Sequence, residues 1–182
     1  MIHVDLPELL LRQKDHDERF CQDLAWLSPD VRAKHYVLHF TKYLARLVEI
    51  RRAYNDVYWN KTVADIMIVA LSAAHAWNIN GSMIETAVLD THVRDKRQTY
   101  LEQRKAVSLA LIPWFQEELA LMTGSMAKAC EQLDHGETGE YMQVLKINIL
   151  HILILLLAVS QLLEIDLVHL VEGRWQAMKS DI

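Results

Sequence analysis

Residues that turn or break a chain are scarce here: 182 residues include five glycines and three prolines. An all-β fold needs frequent turns, so this scarcity weighs against one and favours long helices. No stretch shows strand alternation of useful length. Cysteine is nearly absent too. Cys21 and Cys130 have no close partner and form no metal-type pair, which argues against a disulfide framework and for two reduced, buried thiols in a cytoplasmic protein. There is no dense basic run, and the net charge is −5. Nucleic-acid binding by phosphate neutralisation is therefore not expected. The N-terminal turns carry Asp5, Glu8, Arg12 and Lys14 in place of an apolar region, so no secretory signal is expected. The one long uncharged run, Ile147 to Leu163, spans 17 residues and contains Asn148, His151, Ser160 and Gln161. That is the lower limit for crossing a bilayer. It reads as a core helix or a subunit interface, since a helix apolar on every side also arises inside a bundle. No membrane partner is expected, and the apolar helices offer a surface for homo-oligomerisation.

What is present is apolar: 52% of residues are hydrophobic. At this length the chain can bury a sizeable core, as one compact domain or two fused halves. Asp5-Leu6-Pro7-Glu8 is a helix start, with an N-cap, a proline in the first turn and Glu8 at the capping-box position; the helix is expected to reach about Leu27. Ser28-Pro29-Asp30 opens a second, to about Ala53, with Val37, Phe40, Leu44, Leu47 and Val48 at helical spacing. A polar, aromatic connection, Tyr54 to Asn60, precedes a third from about Thr62 to Trp77, stopped by Asn78-Ile79-Asn80-Gly81. Ser82 and Glu85 form another capping box, and the helix they open extends into the charged stretch Arg94 to Lys105. Pro113 kinks or restarts the chain. A helix from about Trp114 to Leu133, a loop at Gly136 and Gly139, the apolar helix to Leu163, and a final helix capped by Asp166 and ending near Met178 complete an all-α bundle.

Two segments recur. Thr41-Lys42-Tyr43-Leu44-Ala45-Arg46-Leu47-Val48-Glu49 returns as Thr123-Gly124-Ser125-Met126-Ala127-Lys128-Ala129-Cys130-Glu131, both reading Thr-x-x-(Leu/Met)-Ala-(Arg/Lys)-x-x-Glu at an offset of 82. The run from Ile66 to Asn80 matches the run from Ile152 to Asp166 at an offset of 86, the extra residues fitting the Gly136/Gly139 loop. The pattern predicts a duplicated fold: an N-terminal helix over 1–34, a first half over 35–98 and a second over 99–182.

These halves resemble the all-α nucleoside-triphosphate pyrophosphohydrolases, the superfamily of MazG and the dimeric dUTPases. The segment from His39 to Glu49 looks like the family's first motif helix, where His-Leu precedes Glu-Glu-x-x-Glu. Thr62-Val63-Ala64-Asp65 is similar to its Glu-x-x-Asp, with Asn148-Ile149-Leu150-His151 as the second-half counterpart. Asn78-Ile79-Asn80 and Glu164-Ile165-Asp166 stand where the family has a Gly-Ile-Asp type turn. The resemblance implies hydrolysis of dNTPs or NTPs to the monophosphate and pyrophosphate, with carboxylates holding Mg²⁺ on the triphosphate. In this chain the carboxylate seam is depleted. Lys42, Tyr43 and Arg46 replace the three glutamates, Thr62 replaces the fourth, and Asp65 survives. The second half offers Gly124, Ser125 and Lys128, then Asn148 and His151.

Lys and Arg in place of Glu reverse the sign of such a site. Lys42, Arg46 and Glu49 share one helix face at i, i+4 and i+7. Together with Asp65, Lys128, Glu131, Asn148 and His151 they form the candidate ligand-binding seam. Its cations can grip a phosphate or nucleotide without metal, or be neutralised by Glu49, Asp65 and Glu131 inside the bundle. No catalytic residue and no metal site is assigned. His35 and His39 form an i, i+4 pair that could chelate Zn²⁺, but no third ligand can be named. His16-Asp17 matches the doublet of HD phosphohydrolases, but no ordered set of further ligands follows and that reading is set aside. Tyr54, Tyr58 and Trp59 read either as core plugs or as a platform for a base. The residues point to a divergent protein without metal-dependent catalysis, binding a nucleotide or phosphate or serving as a helical interaction protein. The alternative is an active pyrophosphohydrolase with Mg²⁺ as cofactor.

Overall fold

A computed structural model describes residues 5–84, 111–136 and 139–180. The fold is all-α, with no strand among the described residues. Helix α1 (Leu6–Phe20) begins as its sequence dictates: Asp5 Oδ1 accepts from the Glu8 amide at 3.0 Å, and Pro7 occupies the first turn. It ends at Phe20, short of the expected Leu27. Its core-facing stripe Leu6, Leu9, Gln13 and His16 leads to Phe20, which is 39% exposed and packs on the His16 ring at the end of the stripe. Cys21 leaves the helical region (φ −126°, ψ 39°), and a single turn, α2 (Gln22–Ala25), follows.

Helix α3 (Pro29–Arg52) matches its expected bounds and buries Tyr36, Phe40, Tyr43, Leu47 and Ile50. Helix α4 (Asp56–Ala76) starts six residues before Thr62, because Asn55 caps it by accepting from the Tyr58 amide at 3.0 Å. Tyr58 and Trp59 therefore lie in the helix and not in a connection. Trp59 is buried edge-on against Phe115, with ring centroids 5.6 Å apart. Asn80, in place of Ser82, caps the turn over 81–84 by accepting from the Met83 amide at 2.9 Å and the Ser82 hydroxyl at 2.7 Å. Glu85 and the stretch from Arg94 to Lys105 lie outside the described residues.

Helix α5 (Leu111–Asp134) includes Pro113. Helix α6 (Tyr141–Leu163) extends six residues ahead of Ile147, and α7 (Leu167–Ser180) follows Asp166, whose Oδ1 accepts from the His169 amide at 3.0 Å. Helices α3, α4, α6 and α5 form a four-membered ring in which α3 packs on α4, α4 on α6, α6 on α5 and α5 on α3. Helices α1 and α7 cover the outer side of α4. Helix α4 is thus covered by α3, α6, α1 and α7, which accounts for its being apolar nearly all round, while α6 packs on α4 and α5. Helix α6 is the one described helix long and apolar enough to cross a membrane, and 56% of its most apolar stretch is buried in the bundle.

Several local devices occur twice along the chain. Asn78 and Glu164 both have φ 55°, the left-handed conformation that closes a helix. Behind them, the Ile79 amide donates to Ala74 O (2.8 Å) and the Ile165 amide to Ser160 O (2.9 Å). Asn80 and Asp166 each then cap the next turn through Oδ1. Thr41 and Thr123 both donate to the carbonyl four residues back, as do Thr62 and Asn148. The expected boundary between residues 34 and 35 falls inside α3, and that between 98 and 99 lies outside the described residues.

Candidate functional site

Asp65 is the anchor. It sits in the middle of α4, on the side covered by α3 and α7, and is 8% exposed. A carboxylate so placed needs compensating charge. Arg46 Nη1 donates to its Oδ2 and Arg174 Nε to its Oδ1, each at 2.7 Å. The surviving acid of the expected seam is thus held by one expected cation and by one that sequence reading missed. Arg174 lies 109 residues from Asp65, and no local pattern marks it.

A cavity of about 280 Å³ opens beside this cluster, between α1, α3, α4 and α7. Lys42, Arg46, Arg174 and His39 line it on one side, with Asp65 among them; His16, Asp17 and Cys21 line it too. Lys42 forms no ion pair among the described residues. Its Nζ lies 3.2 Å from His39 Nδ1 and 4.9 Å from the centre of the Tyr43 ring. Arg46 lies over the same ring at 5.3 Å. Partial burial, with the Arg46 charge beside it, pushes Lys42 below its ordinary value. Burial first, then the Lys42 charge, lowers His39 to about 4. The expected His35/His39 pair does bring its rings to 4.5 Å, but Lys42 beside it opposes a second cation.

The other expected seam residues do not line this cavity. Glu49 is exposed further along α3, where its Oε2 accepts from the Tyr58 hydroxyl at 3.0 Å. Lys128 and Glu131 are exposed on α5. Asn148 is buried on α6 and donates to Val144 O (2.7 Å) and Ser125 Oγ (3.2 Å). His151 is half-buried on the same helix. Lys42, Arg46 and Asp65 come together; the second-half residues do not join them. The reason is steric: the facing interior of the ring is filled by Met126, Leu145, Ile149 and Ile152, each fully buried.

Mg²⁺, which the family resemblance implies, does not fit. It requires several oxygen ligands at close range. Asp65 is the sole carboxylate of the expected seam in the cavity, and both its oxygens already accept from arginines.

A second polar cluster closes the other end of the cavity, and its key member escaped sequence reading. Gln13 is fully buried. Its Nε2 donates to Asp17 Oδ1 (2.7 Å) and to Ser72 Oγ (3.1 Å), and its Oε1 accepts from Trp175 Nε1 (2.9 Å), joining α1, α4 and α7. The signal was present: Gln13 occupies the apolar stripe of α1, four residues from Leu9, where a polar side chain must find internal partners. His16 lies beside it, 8% exposed, stacked on Trp175 at 5.8 Å and tilted against Phe20 at 5.0 Å. Neither of its ring nitrogens has a hydrogen-bond partner among the described residues. Nδ1 stands 3.8 Å from Asp17 Oδ1, beyond hydrogen-bond range. Burial lowers His16, raises the Asp17 carboxyl and lifts the Cys21 thiol to about 11.

Comparison with protein families, with curated proteins and with solved structures yields no match to this chain.

Proposed function

We propose that this protein binds a phosphate-type anion, either inorganic phosphate or the phosphate end of a nucleotide, in the cavity between α1, α3, α4 and α7, and does so without metal-dependent catalysis. The observation that carries the reading is Lys42: an exposed cation at the cavity wall with no carboxylate ion pair among the described residues, its charge disfavoured by partial desolvation and by the neighbouring Arg46. An entering anion would relieve that cost and could accept from Arg46 and Arg174, each of which spends a single nitrogen on Asp65. The volume supports a phosphate-sized guest, since whole drug-sized ligands occupy roughly 300–1,000 Å³. The pyrophosphohydrolase alternative has less support, because among the described residues Asp17 is the one other carboxylate that lines the cavity with Asp65. The recurrent caps at Asn78 and Glu164, together with the α3–α5 and α4–α6 pairing, support an ancestral duplication related by a twofold axis.

Calorimetric titration with phosphate, pyrophosphate and dNTPs, with EDTA present, tests the proposal. Binding should persist in EDTA, weaken as salt rises, and fall at least about tenfold in both Lys42→Ala and Arg46→Ala, roughly the loss of one charge-assisted bond. Asp65→Asn should behave differently. It leaves two arginines without their counter-charge, costing about 2–3 kcal/mol of stability for this partly exposed cluster, yet it should bind phosphate more tightly. No binding by either wild type or Asp65→Asn sinks the anion reading and leaves an interaction protein. Mg²⁺-dependent dNTP turnover on the order of one per second, abolished by Asp65→Ala, would restore the enzyme alternative.

A further inference from the structure

We propose that His16, Asp17 and Cys21 form a zinc site at the junction of α1 and α2. The donor atoms, one ring nitrogen of His16, a carboxylate oxygen of Asp17 and Cys21 Sγ, all lie within 4.8 Å of one another. Ligand atoms around a tetrahedral zinc with bonds of about 2.0–2.3 Å stand roughly 3.3–3.8 Å apart. Closing the cluster by about 1 Å is within reach of a side-chain rotation at Cys21, whose backbone lies between two helices in a non-helical conformation. The same break in the helix places Cys21 within one turn of Asp17, its amide donating to Asp17 O at 2.9 Å.

Three independent features point to a cation here. His16 is buried and lines the cavity with both ring nitrogens unpartnered among the described residues, and a metal bond would satisfy one of them. Asp17 has no Lys or Arg ion pair among the described residues, unlike Asp65, which has two; the groups of positive sign that face it are the imidazoles of His16 and His75. The supporting shell is already built. Gln13 fixes Asp17 Oδ1 and is fixed in turn by Trp175 and Ser72, while Phe20 and Trp175 flank the His16 ring. Such partners orient ligands before the metal arrives. A mixed nitrogen, oxygen and sulfur set suits Zn²⁺, and not Mg²⁺ or Ca²⁺, which prefer oxygen alone. Binding converts the Cys21 thiol to a thiolate and releases its proton to solvent. All three residues line the cavity, so the fourth coordination position is open to a water molecule on that side.

The inference stands apart from the anion reading, because its test uses metal alone. The full-length chain, stripped with EDTA and dialysed free of it, is titrated with Zn²⁺ and, as a spectroscopic probe, with Co²⁺. One metal per chain is expected, with a thiolate-to-cobalt charge-transfer band and a rise in melting temperature. Cys21→Ser should abolish that band, and both Cys21→Ser and His16→Ala should weaken binding by at least about a hundredfold. Cys130→Ser, altering the buried thiol on α5, should leave band and affinity unchanged. Absence of a charge-transfer band in the wild-type protein overturns the proposal without recourse to any variant. So does a band that survives Cys21→Ser, or metal affinity that His16→Ala leaves unaltered.

Discussion

His39 shows how a single side chain here takes its chemistry from its neighbours. An imidazole titrates near 6.5 in an unfolded chain, but burial, Lys42 and His35 hold it at about 4 in the folded one, with Asp65 pulling weakly the other way and Arg46 adding to the depression. Between those values the unfolded state binds a proton that the native state refuses, so stability rises with pH across the interval. His39 thus contributes nothing adverse above pH 6.5 and destabilises progressively as pH falls towards 4. The full displacement would be worth about 3 kcal/mol at ~1.36 kcal/mol per unit. The ring is only about half buried, so screening reduces the expected loss to about 1–2 kcal/mol. Urea unfolding at pH 7 and pH 4.5 should show His39→Gln retaining more of its neutral-pH stability than wild type, and equal slopes would refute the assignment. His35, lowered by the same burial, adds a smaller effect in the same direction.

At the scale of the element, the ends of α4 and α6 use one backbone device with different residues. Both need a left-handed residue, which costs a side chain bearing Cβ about 1–2 kcal/mol. Asn78 meets the requirement at low cost because its short amide tolerates the conformation. Glu164 at φ 55° does not. Glycine removes the strain but adds about 0.4–1 kcal/mol of unfolded-state entropy. Glu164→Gly should therefore stabilise by about 0.5 kcal/mol or slightly more, while Asn78→Gly stays close to neutral. Urea midpoints decide it, and a loss of stability in Glu164→Gly would mean that α6 does not end in this way. The cap recurs at the same offset of 86 as the Ile-rich runs.

In the molecule as a whole, the long apolar helix is explained by position. Leu156 is fully buried in α6, against α4 and α5, while Ile147, earlier in the same helix, is 45% exposed. Leu156→Lys should cost several kcal/mol, because an unpaired ammonium would enter a packed interior. Ile147→Lys should change stability by no more than about 0.5 kcal/mol. Thermal melts of the purified variants distinguish them. Equal tolerance of both substitutions would show that Leu156 does not face the packed interior of the bundle.

Much of this bundle was legible along the chain, for a local reason. Asp5, Pro29, the Asn78–Gly81 break and Asp166 mark helix ends because caps and first-turn prolines act within four residues, so what they act on is adjacent in sequence. The same locality explains the errors. The caps at Asn55 and Asn80 lie a few places before the residues the sequence favours, and α1 stops where the Cys21 backbone leaves the helical region although no single residue there forbids a helix. The site was half readable. Lys42 and Arg46 stood out because cations replaced the expected acids, and their shared helix face brought them to one wall. Arg174 and Trp175 carry no local signature, since their partners lie more than a hundred residues away, whereas Gln13 is marked only by its place on the apolar stripe of α1. Whether Lys128, Glu131, Asn148 and His151 join Asp65 depends on how four helices close, and apolar side chains fill the space between them. Helix formation is a property of short range; which charges become neighbours is settled by packing.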